Sequence, residues 1–263
     1  MHPFDALEVN HGRVGIRWFG QSSFAFKDSE GVVTQVDPYF PLNRPPDRFI
    51  HPESPVDETT LRTDFVLLTH DHGDHTCMES LLRIHQAFPE ARFIGPAESI
   101  MRMDEGGIPD RLRTEVTAGE TTPLATMTAN AVWAKPPQGA PEDGIKAPDV
   151  QHLGYVLEAG RLRIYISGDP INTFADHEEL IQPIAALTPH IGLLTTHPNE
   201  GEFPFFGGSV EMALKLGLEA VVPAHYNCFV TRDYDPQEWA GAFPEVGPEP
   251  IIIPYNGSIV FPE

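Results

Sequence analysis

The sequence predicts an α/β protein in which helices pack outside β-sheet, and three observations carry that reading. First, residues 14–36 hold three short apolar segments, Val14–Phe19, Phe24–Lys27 and Val32–Val36, separated by turn residues at Gly20–Ser23 and Asp28–Gly31. That spacing predicts a β-meander. Second, the apolar run Phe65-Val66-Leu67-Leu68 is followed by a helical pattern, a short strand and another helical pattern, and such β-α-β-α alternation lays helices against a sheet. Third, apolar strands repeatedly lead into a residue able to bind metal. Phe65–Leu68 leads to His70, Ile164–Ile166 to Asp169, Ala220–Val222 to His225, and Ile191–Thr195 to His197. Strand ends of one scaffold can converge on a single cleft.

The elements follow in order. Asp37-Pro38 closes the third strand of the meander. Residues 41–63 are rich in Pro, Asp, Arg and Thr and show no period. They read as a long surface loop, either a flap offering Phe40, Phe49 and His51 to a site or a plain connection. Glu79–Phe88 is a helix ended by Pro89, with Leu81, Leu82, Ile84 and Phe88 on its buried side. His85 on this helix reads as packed or exposed rather than as a ligand. Arg92–Gly95 is a strand, and Pro96-Ala97-Glu98 opens a helix that ends near Gly106-Gly107. Residues 113–134 are strand-like. Residues 135–151, with four prolines and two glycines, exclude a regular element. Leu153–Leu157 and Leu162–Ser167 form a hairpin around Ala159-Gly160. Helices are expected at 176–187 and 209–217, and strands at Ile191–Thr195, Ala220–Val222, Ile251–Ile253 and Ser258–Phe261.

Composition narrows the function. A chain of 263 residues can bury a large core without disulfide staples. Its net charge of −21 argues against nucleic-acid binding, which needs a basic footprint, and against anionic membrane surfaces. A small anionic substrate stays admissible, because bound metal ions carry their own local positive charge. Cys77 and Cys228 are the only cysteines, and they read as reduced, packed thiols of a cytoplasmic protein rather than as a disulfide. Nothing at the start of the sequence resembles a signal peptide, and no run reaches the length of a membrane span.

The chemistry concentrates in Thr69-His70-Asp71-His72-Gly73-Asp74-His75-Thr76, which reads H-x-H-x-D-H. In an extended segment His70 and His72 project to the same side, so they can share one ion. Asp74 and His75 lie past the Gly73 bend and can face a second. Imidazole suits Zn, Fe, Ni and Cu, and carboxylate also admits Mn. The cofactor expected is therefore a divalent metal, Zn or Mn, at one or two per chain.

H-x-H-x-D-H after an apolar strand resembles the signature of the metallo-β-lactamase superfamily. The flanking segments Phe19-Gly20-Gln21-Ser22-Ser23-Phe24, Val36-Asp37-Pro38-Tyr39, His152-Leu153-Gly154-Tyr155, Ser167-Gly168-Asp169 and Pro223-Ala224-His225-Tyr226 resemble its ascorbate-6-phosphate lactonase-like branch. The resemblance runs from about residue 14 to 261. It implies a four-layer αββα sandwich, with residues 1–263 as one domain. It puts His70 and His72 on one metal and Asp74, His75 and His225 on the other. Asp169 bridges the two, and Asp37 supports the metal loop from behind without binding metal. Asp74 and Asp169 are the catalytic carboxylates it implies. His152, His197, Asn199 and Tyr226 are its candidate substrate contacts, with Asn227 beside them.

The sequence departs from the family at two points. Ala131-Val132-Trp133-Ala134-Lys135-Pro136 lacks the histidine expected before the Gly-Tyr strand. His152 is the nearest substitute, yet it is expected inside the next strand. Without it, the first metal would be held more weakly or not at all. Gln21 stands where related hydrolases often have histidine, as an outer support or for turn geometry. No G-x-S-x-G motif is present, so a covalent intermediate is not expected. The expected activity is hydrolysis of a lactone or phosphoester-type small molecule by metal-bound hydroxide, with homo-oligomerisation possible. A non-catalytic metal- or ligand-binding member of the fold is the alternative. A nuclease is disfavoured by the charge.

Overall fold

Two sheets of seven strands each, built to one plan, carry the structure. The computed structural model describes residues 2–141, 144–199 and 201–263. In the first half, β1 (Val14–Trp18), β2 (Phe24–Lys27) and β3 (Val33–Val36) form the antiparallel meander. β4 (Phe65–Leu67), β5 (Arg92–Gly95) and β6 (Arg113–Glu115) then add in parallel. α1 (Met78–Ala87) and α2 (Ala97–Glu105) connect the parallel strands. The second half repeats this. β7 (Thr121–Leu124), β8 (Met127–Trp133), β9 (Leu153–Ala159) and β10 (Leu162–Ile166) run antiparallel. β11 (Ile191–Thr195), β12 (Ala220–Ala224) and β13 (Glu249–Pro250) follow in parallel. α3 (Glu178–Ala185), α4 (Phe206–Lys215) and α5 (Pro236–Ala240) connect them, and β14 (Ser258–Phe261) returns to pair with β1. The orders are β14-β1-β2-β3-β4-β5-β6 and β13-β12-β11-β10-β9-β8-β7.

The main core joins the two sheets. Ile16, Trp18, Phe24, Phe26 and Leu67 from one sheet share a buried cluster with Tyr155, Leu157, Ile164 and Leu193 from the other. On the first sheet's helical side, Val66, Leu68 and Phe93 pack with Leu81, Ile84 and Met103 of α1 and α2. Sandwiched sheets with flanking helices are the layers the sequence predicts.

The differences from expectation are local. Ile251–Ile253 is not a strand. Ile251 N–H still donates to Val221 O at 2.7 Å, but Pro250 and Pro254 carry no N–H, and the ladder stops there. α4 begins earlier than residue 209, at Phe206, and a 3₁₀ turn at Phe174–Asp176 precedes α3. α5 has no counterpart in the sequence reading. Its signal is Asp235-Pro236, where the Asp235 side chain accepts from Gln237 N and proline occupies the first turn.

The loop at 41–63 is tied down rather than open. Ile50 N donates to Cys228 O at 2.9 Å and Val230 N to Arg48 O at 3.0 Å. Phe49 packs against Tyr39 and Phe229, Phe40 against Phe19, and His51 stacks on Tyr255 at 3.7 Å. The connecting-loop reading fits these contacts, and the segment braces the turn after His225. Cys77 and Cys228 are free thiols in this same aromatic cluster.

Candidate metal centre

The loop after β4 is fastened at both sheets. Thr69 N donates to Asp37 Oδ1 at 2.8 Å and Thr69 Oγ1 to Asp37 Oδ2 at 2.6 Å, tying the loop to the end of β3. From the other sheet, Leu153 N donates to Thr69 O at 2.9 Å and Tyr155 Oη to Leu68 O at 2.8 Å. These bonds hold the start of β9 beside the metal loop. His75 N and Thr76 N both return to His72 O, which closes the turn through Gly73. Asp71 points away, accepting from Arg102 at 3.0 Å.

Seven side chains converge within this frame. His70, His72 and His152 offer ligand atoms that all lie within 4.8 Å of one another. Asp74, His75 and His225 form a second such group, and His70, His75 and Asp169 a third that joins the two. Asp169 Oδ2 lies 3.6 Å from His70 Nε2, 3.4 Å from His75 Nε2 and 3.6 Å from His225 Nε2. It faces imidazoles of both groups, as a bridging carboxylate must. Its approach depends on Gly168, at φ +57°, where a Cβ would stand 2.4 Å from Leu153 O.

Each histidine of the metal loop turns one nitrogen inward and hydrogen-bonds with the other. His70 Nδ1 is 3.0 Å from Thr69 Oγ1, His75 Nδ1 is 2.8 Å from Asp37 Oδ2, and His72 Nε2 is 3.1 Å from Asp149 Oδ2. Such outer partners fix the tautomer and orient the inner nitrogen, as they do around metal-binding histidines. Among the inner atoms, His70 Nε2 and His72 Nδ1 face each other at 3.1 Å, while others have no partner. His75 Nε2, both nitrogens of His152 and Asp169 Oδ1 are buried without a hydrogen bond. Leaving each such atom unpaired costs about 1–3 kcal/mol, and a cation among them would satisfy several at once. The donor set therefore fits divalent metal.

The electrostatics agree. Burial, reinforced by the charge of neighbouring His75, holds His70 well below the ordinary imidazole range. Burial, then the charge of Lys135, lowers His152 to about 3. Both imidazoles thus keep their electron pairs for a cation. Burial alone would raise Asp169, but the charges of His75 and His225 overcome it and hold the carboxyl well below its usual range. Burial would likewise lower His75, yet the carboxylates of Asp169, Asp37 and Asp74 raise it.

The structure brings together all six residues that the resemblance implies as ligands, but not His197, which also follows a strand. His152, named from the sequence as the nearest substitute, is not inside β9 but one residue before its start, and it joins the first group. An imidazole from the segment that enters the neighbouring strand thus stands where the sequence at Trp133–Pro136 offers none. Tyr226 is not brought into the group. It is stacked between Trp18 at 4.5 Å and Tyr234 at 4.7 Å, as a core residue. His197 is buried with its Nδ1 accepting from Asn199 N at 3.2 Å, and neither residue joins the ligand groups. Glu200 in that loop lies outside the described residues. Asn227 bonds His51 at 2.8 Å rather than the centre. Sequence reasoning missed Asp149, three residues before His152, and Phe203, whose ring lies 4.7 Å from that of His225.

A comparison with known proteins agrees with this geometry. The profile of the beta-lactamase superfamily domain matches residues 35–226, which span every ligand-group residue. The chain belongs to the metallo-β-lactamase superfamily. A relative from Pyrobaculum neutrophilum, named a UPF0173 metal-dependent hydrolase, is 27% identical over 248 residues, covering 93% of this chain and 98% of its own. Among solved superfamily-like folds, the metallo hydrolase Igni18 of Ignicoccus hospitalis is 21% identical with a TM-score of 0.69, covering 95% of this chain and 98% of the other. An isothiocyanate hydrolase from Delia radicum gut bacteria superposes with a TM-score of 0.71 at 16% identity, over 93% and 98%. Superfamily membership accounts for the doubled meander-and-parallel plan and for the site at the strand ends between its halves.

Proposed function

We propose that this protein is a metal-dependent hydrolase acting on a small molecule of the lactone or phosphoester type, as in the ascorbate-6-phosphate lactonase-like branch. The observation that carries the reading is the convergence of two ligand groups on Asp169, with His75 Nε2, both His152 nitrogens and Asp169 Oδ1 buried and unpaired. His70, His72 and His152 would hold one ion, Asp74, His75 and His225 the other, with Asp169 between them. Zn or Mn suits that mixture of imidazole and carboxylate. A bound ion of this kind polarises a carbonyl or phosphoryl oxygen and brings the pKa of water down to about 7.

The chain's own residues set up the rest. His70, His75, His152, Asp169 and His225 are buried, while His72 and Asp74 are partly exposed and mark the side from which substrate and water enter. Asp74, whose Oδ2 stands 3.9 Å from both His75 and His225, is placed to orient water and take its proton at that oxygen. Two cations border the site. Lys135 pairs with Glu202 at 3.6 Å, and Arg232 pairs with Glu202 at 3.4 Å while covering the Phe203 ring. Two cations sharing one carboxylate there, in a chain of net charge −21, favour a substrate carrying negative charge. No helix among the described residues is long and apolar enough to cross a membrane, in keeping with a cytoplasmic enzyme on a diffusible substrate. The missing histidine at Trp133–Pro136, which favoured a non-catalytic member, loses its force because His152 supplies the ligand.

The test is metal analysis of protein purified without chelator or affinity tag, followed by a turnover panel of lactones and phosphodiesters with Zn and with Mn. Two ions per chain and turnover of at least one class, abolished in Asp169→Asn, are expected. Full metal content without turnover of any member would instead support the non-catalytic reading.

A further inference from the structure

Gln21, so far an outer support or a turn residue, lies against Asp74 and His225 of the candidate metal centre. It sits in the turn after β1, is 1% exposed, and adopts φ +54°. Its backbone is clamped to the His225 turn. Gln21 N donates to Tyr226 O at 3.0 Å, while His225 N at 3.0 Å and Trp18 Nε1 at 2.9 Å both donate to Gln21 O. His225 itself has φ +67°. Left-handed backbone at two buried non-glycine residues is strained, and such strain is concentrated at functional sites.

The aim is specific. Gln21 Nε2 lies 2.7 Å from Asp74 Oδ2 and 2.9 Å from His225 Nε2, while Gln21 Oε1 is buried without a partner. Asp74 and His225 are two of the three members of the second ligand group. Atoms bound to one ion at about 2.1 Å and set at right angles to each other are about 3 Å apart. The end of the Gln21 amide therefore stands where a further ligand of that ion would stand.

The orientation of the amide decides what it can do there. An ion in the second group takes the His225 Nε2 electron pair, which then cannot accept from Gln21 N–H. Rotation about the last side-chain torsion exchanges the amide oxygen and nitrogen and turns Oε1 to the same point. Either orientation leaves one amide atom unpaired, but only the rotated one gives the buried oxygen a cation.

We propose that Gln21, through Oε1, is a direct ligand of the ion held by Asp74, His75 and His225. That ion would then face three oxygen donors, from Gln21, Asp74 and Asp169, and two nitrogens. Its neighbour would face three imidazoles and Asp169. Carboxylate and carbonyl oxygen suit Mn, and imidazole suits Zn. The two positions differ in metal preference, with Mn²⁺ favoured at the Gln21 side.

The inference rests on the dinuclear reading above, and titration of metal-free protein separates the two. Zn²⁺ and Mn²⁺ are titrated calorimetrically into the parent, Gln21→Leu and Gln21→Glu, with Mn²⁺ also followed by its electron spin resonance signal. The parent should take up two ions. Gln21→Leu should keep one and bind the second about 100-fold more weakly, since loss of even an outer partner costs about 10–100-fold. Gln21→Glu should restore or tighten the second, with the gain larger for Mn²⁺. A residue that only donates a hydrogen bond to Asp74 behaves oppositely, because glutamate would set two carboxylates against each other. Two ions in the parent with an unchanged Leu variant, or with Glu as weak as Leu, overturns this proposal alone. A parent that binds no ion overturns it together with the dinuclear reading. Should Gln21→Leu fail to fold, Gln21→Glu decides by itself.

Discussion

Replacing His152 by alanine separates its contribution to the apo fold from its contribution to metal. In metal-free protein the imidazole is 1% exposed and neither nitrogen has a partner. Truncation removes two unpaired polar atoms, a relief of about 1–3 kcal/mol for each. It also leaves a cavity, at about 2–5 kcal/mol for a large buried side chain. The two nearly cancel, so the apo variant should melt within a few degrees of the parent. With metal the effect is one-sided. The group His70, His72, His152 loses one of its three imidazoles. A 100-fold loss in affinity is about 2.7 kcal/mol of metal-linked stability. For a chain of this size that is about 5 °C of the metal-induced rise in Tm. Differential scanning calorimetry with and without Zn²⁺, alongside metal analysis, reads both numbers. An apo Tm close to the parent's and a shortened metal-induced rise, with about one ion retained, is the expected pair. Full metal content and an undiminished rise would refute the assignment, and another residue would have to close the first site.

Three further outcomes follow from the same geometry. Asp37→Ala removes the acceptor of both His75 Nδ1 and Thr69 N, so metal affinity should fall by about 10–100-fold although Asp37 is not itself a proposed ligand; equilibrium dialysis measures it, and an unchanged affinity counts against the outer support. Burial pushes the Cys228 thiol up to about 11 from 9.0, against the opposing pull of Arg44. The Cys228 thiol should therefore resist a thiol-specific disulfide reagent at pH 8 until the protein unfolds, and its rapid reaction in the native protein would contradict the packing. Because the native state holds the Cys228 proton more tightly, stability should decline as pH rises from about 9 to about 11, which denaturant melts across that window would show. Finally, the acidic surface should give no salt-sensitive binding to DNA or RNA in a fluorescence anisotropy assay; affinity that falls steeply with salt would report phosphate neutralisation and reverse this expectation.

Much of the fold was legible because its signals are local. The meander at 14–36 and the alternation at 65–106 announce strands and helices by period and by turn residues, and the structure keeps them within a residue or two. The six candidate ligands, at strand ends or in the loop that follows one, were legible for the same reason. A strand that is apolar to its last residue and then polar marks the edge of a buried layer. His152 and Gln21 were harder, because their roles depend on register between distant segments. His152 reaches the first group only because Leu153 N bonds to Thr69 O, across 84 residues of sequence and from sheet to sheet. Gln21 reaches the second only because its backbone pairs with the His225 turn as an isolated bridge to Tyr226. No property of the sequence around either residue carries that information. Tyr226 shows the converse error. Proximity in sequence to His225 suggested a place in the cleft, but the neighbouring residue's side chain leaves in another direction and fills the gap between Trp18 and Tyr234.

The doubled plan of the fold explains why the centre has two unlike halves. The first half supplies the metal loop after β4 and, from the turn after β1, Gln21. The second supplies His152 before β9, Asp169 after β10 and His225 after β12. Each ligand group takes members from both halves, so neither half alone can complete a site. Asp169 is the one carboxylate that faces imidazoles of both groups, and its neighbours keep it ionised without metal. The carboxylates of Asp37 and Asp169 flank His75 at 2.8 Å and 3.4 Å and, with Asp74, raise its pKa, which favours its protonated form. Metal entry must displace that proton, because His75 Nε2 can bind an ion only with its electron pair free. The same contacts that raise His75 therefore set up a competition between proton and metal, and metal uptake should release protons.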